Sequence, residues 1–148
     1  MATTDPLSLE NQVCFALAVS ARKVIAAYRP ILEPMGLTHP QYLAMLALWE
    51  RSPRTLGDLA SALALEPATL SPLLKRLESS GLVTRTRKER DERTLDVGLT
   101  EAGRALRAQA ETVPPRVAAM LDMSWEQLGE LRETLNRTIE AADRASAR

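Results

Sequence analysis

The sequence predicts a mainly α-helical chain carrying one small two-stranded β hairpin. Three observations point there. Several segments place apolar residues at helical spacing, each opened by a capping or proline residue. Residues 82–99 switch to strand-like alternation around a charged turn. Two short helical segments joined by a few residues stand immediately before that hairpin.

The first helix is expected from about Leu9 to Leu32, capped by Ser8. Val13, Leu17, Val24 and Ile31 form one apolar stripe, and Cys14, Ala21, Ile25 and Tyr28 an adjoining one. Two stripes imply two burial partners, the helix's own domain and a second subunit. Pro34 and Gly36 end this region. Thr38-His39-Pro40-Gln41 is a capping box with proline in the first turn. It opens a helix whose Tyr42, Leu43, Leu46 and Trp49 are expected to face inward. Ser52-Pro53 breaks it. Thr55 caps a short helix, Leu56–Leu63. Pro67 then starts a third, running to about Ser80 and stopped by Gly81.

Leu82 to Arg87 reads as a strand, 88–93 as a charged turn, and Leu95, Val97 and Leu99 as one face of the returning strand. A lone hairpin is marginal in water, so it must lean on the helices. Thr100 caps the next helix, which Pro114-Pro115 is expected to kink or interrupt. Ser124-Trp125-Glu126-Gln127 is a second capping box. The final helix carries Leu128, Leu131, Leu135 and Ile139 on one stripe. Met35, Met45, Met120 and Met123 are read as core filler.

The 148 residues suit a single domain, and 45% hydrophobic with 26% charged residues is a globular composition. No apolar run approaches the ~20 residues that span a bilayer. The N-terminus lacks a basic-then-apolar signal, so no membrane association and a cytoplasmic location are expected. One cysteine can form no internal disulfide and cannot alone hold a metal. No P-loop, metal-ligand cluster or Ser/His/Asp arrangement stands out, so neither enzyme activity nor a cofactor is expected. A thiol peroxidase working through Cys14 is the weaker alternative.

Lys+Arg and Asp+Glu balance at 19 each. From Lys75 to Arg93, however, seven basic residues face four acidic ones. Helix, short turn, helix and basic hairpin together read as a winged helix-turn-helix. In its third helix Leu70, Leu73, Leu74 and Leu77 form the buried side. Pro67, Ala68, Thr69, Ser71, Lys75 and Arg76 are the candidate DNA contacts, with Thr69 and Ser71 touching phosphates or base edges. In the hairpin, or wing, Arg87, Lys88 and Arg93 are the candidates. Arg93 suits the minor groove, with Asp91 holding its guanidinium. Pro72 costs the helix one backbone hydrogen bond.

This order of elements, with TLSPLLKRLE at Thr69–Glu78 and Asp91-Glu92-Arg93 followed by Val97-Gly98-Leu99-Thr100, resembles the MarR family of winged-helix regulators. The resemblance implies a homodimer built by the first and last helices (about 8–35 and 101–146). The winged helix-turn-helix would occupy about 38–100 of a single domain spanning 1–148. It also implies repression, and two recognition helices meeting successive major grooves of a pseudo-palindromic operator, about 34–36 Å apart.

Asn11 to Leu17, Tyr28-Arg29-Pro30 and Gly36 to Tyr42 resemble one branch of that family, the organic hydroperoxide resistance regulators. The resemblance implies that Cys14 is a peroxide-reactive thiol, oxidised to sulfenic acid and then capped by a low-molecular-weight thiol or overoxidised. Such a thiol needs a donor or positive charge nearby. Tyr28, His39 and Tyr42 are the candidates to activate it. The branch usually carries tyrosine where this chain has His39 and Ala18. His39 opens a helix, where the dipole disfavours a cation, so a neutral hydrogen-bond donor is expected. Two alternatives remain at this point. Cys14 is a small buried apolar residue, or the regulator answers a small aromatic or phenolic ligand and Cys14 is inert.

Overall fold

A computed structural model describes residues 5–88 and 91–148, with the side chains of 88 and 91–93 outside that description. The elements run α1 (Val13–Leu32), α2 (His39–Glu50), β1 (Arg54–Thr55), α3 (Leu56–Ala62), α4 (Pro67–Ser79), β2 (Val83–Lys88), β3 (Asp91–Leu99), α5 (Glu101–Ala110), α6 (Val113–Leu121) and α7 (Trp125–Ser146). The chain divides into two compact units, Met1–Ala110 and Glu111–Arg148.

The helices start where side chains satisfy the first free N–H groups. Thr38 accepts from the Gln41 amide and Gln41 returns the bond to Thr38, a complete capping box. Ser124 and Gln127 do the same for α7. Thr55 Oγ1 accepts from the Asp58 amide at 3.1 Å and opens α3. The expected Ser8 cap is not formed. Leu9–Asn11 is a separate 3-10 turn and α1 begins at Val13. Ser8 Oγ instead accepts from the Asn11 side chain, and Gln12 Nε2 donates to the carbonyls of Pro6 and Ser8. These local bonds compete with continuing the helix backwards.

The core of the first unit joins Leu32, Met45, Leu48, Leu59, Leu70, Leu74, Leu77, Val83 and Val97. On α2 the inward face is Tyr42, Met45 and Leu48, whereas Leu43 and Leu46 are exposed, against expectation. Around the helix, Met45 and Leu48 lie on one flank of Tyr42 and Leu46 and Leu43 on the other, and the first flank faces the core. Leu73 is only half-buried. Met35 and Met45 are core residues, but Met120 is exposed and Met123 half-buried.

The hairpin is joined by a third strand. β1 pairs antiparallel with β3 (Arg54↔Val97, Thr55↔Asp96), giving the order β1-β3-β2. β2 and β3 pair from Val83↔Leu99 to Arg87↔Leu95, with an irregularity between Arg87 and Lys88. The two-residue strand ties the wing's base to the connection between α2 and α3. Pro114 and Pro115 mark the expected interruption, between α5 and α6, rather than a kink. They lie in the first turn of α6, where the missing N–H groups have no intrahelical partner to lose.

Candidate functional site

α4 is amphipathic. Leu70, Leu74 and Leu77 are buried, and Pro67 at its first position replaces a capping side chain. Pro72 leaves the helix unbroken to Ser79. Pro67, Ala68, Thr69, Lys75 and Arg76 are exposed on the other side, with Ser71 half-buried. The leading end thus offers small side chains at the positive end of the helix dipole, and the trailing end two cations, an arrangement suited to a polyanion. The left-handed backbone at Gly81 (φ +78°) then turns the chain into β2.

In β2, Val83, Arg85 and Arg87 share one face, and their burial falls in that order. Val83 is buried, the Arg85 side chain is 21% exposed, and Arg87 is exposed. Arg85 Nη2 donates to Glu78 Oε1 at 3.0 Å, and the Arg85 amide donates to Glu78 Oε2 at 3.2 Å. The hydrogen bond and charge of Arg85 hold the Glu78 carboxyl below its ordinary range. The side chains of Lys88, Asp91 and Arg93, also predicted as DNA contacts, lie outside the described residues.

Two supports beneath this face were not anticipated. Arg54 is 8% exposed. Its Nε donates to the carbonyls of Ala47 and Arg51, both at 3.1 Å, and Nη1 meets Asp58 Oδ2 at 3.3 Å. The guanidinium thereby joins the end of α2 to the first turn of α3, with Arg51 also on Asp58 at 2.8 Å. At Gly103, a Cβ would collide with the Leu82 carbonyl oxygen, so only glycine lets α5 lie this close to the base of the wing. The Gly103 carbonyl accepts from Trp49 Nε1 at 2.9 Å.

The candidate thiol chemistry lies on α1. Cys14 is an exposed free thiol in its first turn, which removes the reading of a buried apolar residue within one chain. Tyr28, His39 and Tyr42 gather where α1 meets the start of α2. The Tyr28 and His39 rings meet edge-on with centroids 4.8 Å apart, and the Tyr28 and Tyr42 centroids are 6.1 Å apart. Burial lowers the His39 pKa from 6.5 and raises those of both tyrosines, Tyr42 also through the charge of Tyr28. Burial therefore disfavours the charged form of each of the three rings. Beside them opens a groove of about 660 Å³, lined by Ile25, Ala26, Leu37 and Pro40, with Arg29 and Glu33 among its polar residues. Cys14 does not join the cluster within its own chain. Fourteen residues along a continuous helix put it about 21 Å from Tyr28.

The MarR family pattern matches residues 37–95. The organic hydroperoxide resistance transcriptional regulator of Bacillus subtilis (strain 168) is 40% identical over 136 residues, covering 92% of each chain. This chain belongs to the MarR family. It is a winged-helix transcriptional regulator, and relatives of this family are regulators rather than enzymes. Among solved structures, AbfR of Staphylococcus epidermidis matches with a TM-score of 0.75 at 35% identity, over 92% of this chain and 94% of that one. Reduced AbfR bound to DNA matches with a TM-score of 0.74 at 34% identity, over 90% and 94%. Among the described residues no helix is long and apolar enough to cross a membrane, and no group of three or more His, Cys, Asp or Glu is placed to hold a metal.

Proposed function

We propose that this MarR-family member is a dimeric repressor that releases its operator when an organic hydroperoxide oxidises Cys14. The observation that carries the reading is the split of the thiol site along α1. An exposed cysteine stands at one end, and neutral donors beside an apolar groove stand at the other. A second, antiparallel copy of α1 completes the site by bringing Cys14 of the partner subunit to Tyr28, His39 and Tyr42. The apolar lining then receives the organic group of the peroxide. The name and 40% identity of the Bacillus subtilis relative favour the same oxidant class.

Unmatched apolar surface supports the dimer. α1 buries only Ile31 and Leu32 and exposes Val13, Phe15, Leu17 and Ile25. α7 buries none of its 22 residues and exposes Leu131 and Ile139. Most of these side chains are already about half covered, so hiding the remainder of each is worth roughly 1 kcal/mol. Residues 8–35 and 101–146 therefore supply the dimer contacts, and 38–100 the DNA-binding part. Pro67, Ala68, Thr69, Ser71, Lys75 and Arg76 meet one major groove, and the wing (Arg87, Lys88, Asp91 and Arg93) the flanking backbone and minor groove. The paired protomers fit a pseudo-palindromic site.

In the chemical step the Cys14 thiolate attacks the terminal peroxide oxygen and the O–O bond breaks. The alkoxide leaves and takes a proton to become an alcohol, while the sulfur, oxidised by two electrons, becomes sulfenic acid. A low-molecular-weight thiol then condenses with it, forming a mixed disulfide and releasing water. The added bulk at the subunit seam changes the separation of the two α4 helices.

The groove with Arg29 favours one second reading, an acidic aromatic ligand with Cys14 inert. Operator binding followed by fluorescence anisotropy at fixed salt separates the two. Wild type is expected to dissociate on treatment with cumene hydroperoxide and a small thiol, and Cys14→Ser to stay bound. A Cys14→Ser protein that still dissociates rejects the sensor reading.

A further inference from the structure

We infer that Glu78 and Arg85 are positioning residues that lock the wing to the recognition helix, so that α4 and the wing strand β2 with its Arg87 engage DNA as one rigid unit. The inference rests on the reading of α4 and the wing as the DNA-binding face.

The first ground is electrostatic. Glu78 lies in the last turn of α4, where the helix dipole already disfavours an anion. It also follows Lys75 and Arg76, on a face read as meeting phosphate. A carboxylate there opposes both the helix and the ligand unless it has another task. Its two oxygens are both used, one on the Arg85 guanidinium and one on the Arg85 backbone amide. Binding side chain and main chain of the same residue fixes the strand itself, whereas a side-chain ion pair alone would leave it free to slide.

The second ground is the place of Arg85 along β2. Val83 is in the core, Arg85 is the next residue on that face, and Arg87 is in solvent. Opposite Arg85 stands Val97, which is fully buried and also pairs with Arg54 of β1. Beyond Arg85↔Val97 the hairpin continues as two strands, and among the described residues no side-chain bond runs from Arg87 back to α4. Glu78–Arg85 thus ties α4 to the strand at the point where the hairpin leaves the body. A tether at that point governs the angle of everything distal to it.

Two sites on one rigid body bind with a high effective concentration for the second contact. Loosening the tie lowers that advantage while leaving each contact chemically intact. The contribution of a wing cation then depends on Glu78 without any contact between them.

The test is a double-mutant cycle on operator affinity with Glu78→Gln and Arg87→Ala, read with the salt dependence of binding. Thermal midpoints establish that each variant is folded. Arg85→Lys, which keeps the charge and loses the two-point geometry, is the second variant if Glu78→Gln does not fold. In the wild-type background Arg87→Ala is expected to weaken binding about tenfold and lower the salt slope by about one ion. In the Glu78→Gln background it is expected to cost under about threefold, with a slope change near zero. Equal costs of Arg87→Ala in both backgrounds, with folded proteins, overturn the inference. Failure of wild type itself to bind double-stranded DNA overturns the underlying reading instead.

Discussion

Consider a dimer in which one protomer carries Cys14→Ser and the other Tyr28→Phe. Cys14 and Tyr28 are fourteen residues apart on the continuous helix α1, about 21 Å at 1.5 Å per residue. A hydroxyl-to-sulfur hydrogen bond spans only about 3–4 Å, so on the proposed reading these two residues would meet across the subunit boundary. In the mixed dimer, the remaining Cys14 then faces the intact Tyr28 of the other protomer, and one complete site survives. Placing both substitutions in a single protomer leaves the remaining Cys14 opposite phenylalanine, and no complete site survives. A hydrogen bond to a charged group is worth about 1.5–3 kcal/mol. The second arrangement should therefore react roughly 10–100-fold more slowly with hydroperoxide. Differently tagged protomers, purified as heterodimers and followed by rapid trapping of the sulfenic acid, give the two rates. Equal rates, or the faster rate in the dimer whose substitutions share a protomer, refute the cross-subunit site.

Three further outcomes follow from the geometry. Gly103→Ala drives a methyl group into the Leu82 carbonyl and parts α5 from the wing base, and is expected to lower the thermal midpoint by roughly 5–10 °C in a calorimetric scan. Leu131→Glu with Ile139→Glu on the fully unburied helix α7 should convert the dimer to monomer in sedimentation velocity and abolish tight operator binding; a dimer that persists removes α7 from the interface. His39 has a folded pKa depressed below its ordinary 6.5, so the unfolded chain takes up the proton first as pH falls. Its contribution is present in full above about 6.5 and lost progressively below it, so the urea midpoint should fall from about pH 7.5 to about pH 5.5, and less steeply in His39→Gln.

What was legible in the sequence was what neighbours in the chain decide. Thr38 with Gln41, Ser124 with Gln127 and Thr55 with Asp58 carry their bonds within three residues, so the starts of α2, α7 and α3 could be read directly. Ser8 misled because Asn11 and Gln12 offer its backbone and hydroxyl an equally local alternative. Leu43 and Leu46 misled because a spacing of three identifies an apolar stripe without saying which partner covers it. α2 has apolar residues on nearly every side, and Met45 and Leu48 took the core. Arg54 was invisible as a clamp, since its acceptors are carbonyls that converge only once α2 and α3 have packed. β1 was hidden for the same reason, being two residues long and defined by its pairing with β3. Glu78 carried a readable signal, an acidic residue in the last turn of a helix whose neighbours are basic.

For the thiol site, the sequence held the residue types and the fold supplied the grouping. Tyr28, His39 and Tyr42 come together because Gly36, with φ +68°, turns the chain from the end of α1 toward the start of α2. Cys14 stays at the far end of α1, so on the proposed reading the sensor would need two chains.

The most direct measurement takes both readouts from one sample. Operator-bound protein is titrated with an organic hydroperoxide and a small thiol; the fraction of DNA released is plotted against the fraction of Cys14 modified, by intact mass. Release rising in step with modification at Cys14 is the predicted result. Full modification with the DNA still held, or release from protein whose sulfur is unchanged, contradicts it.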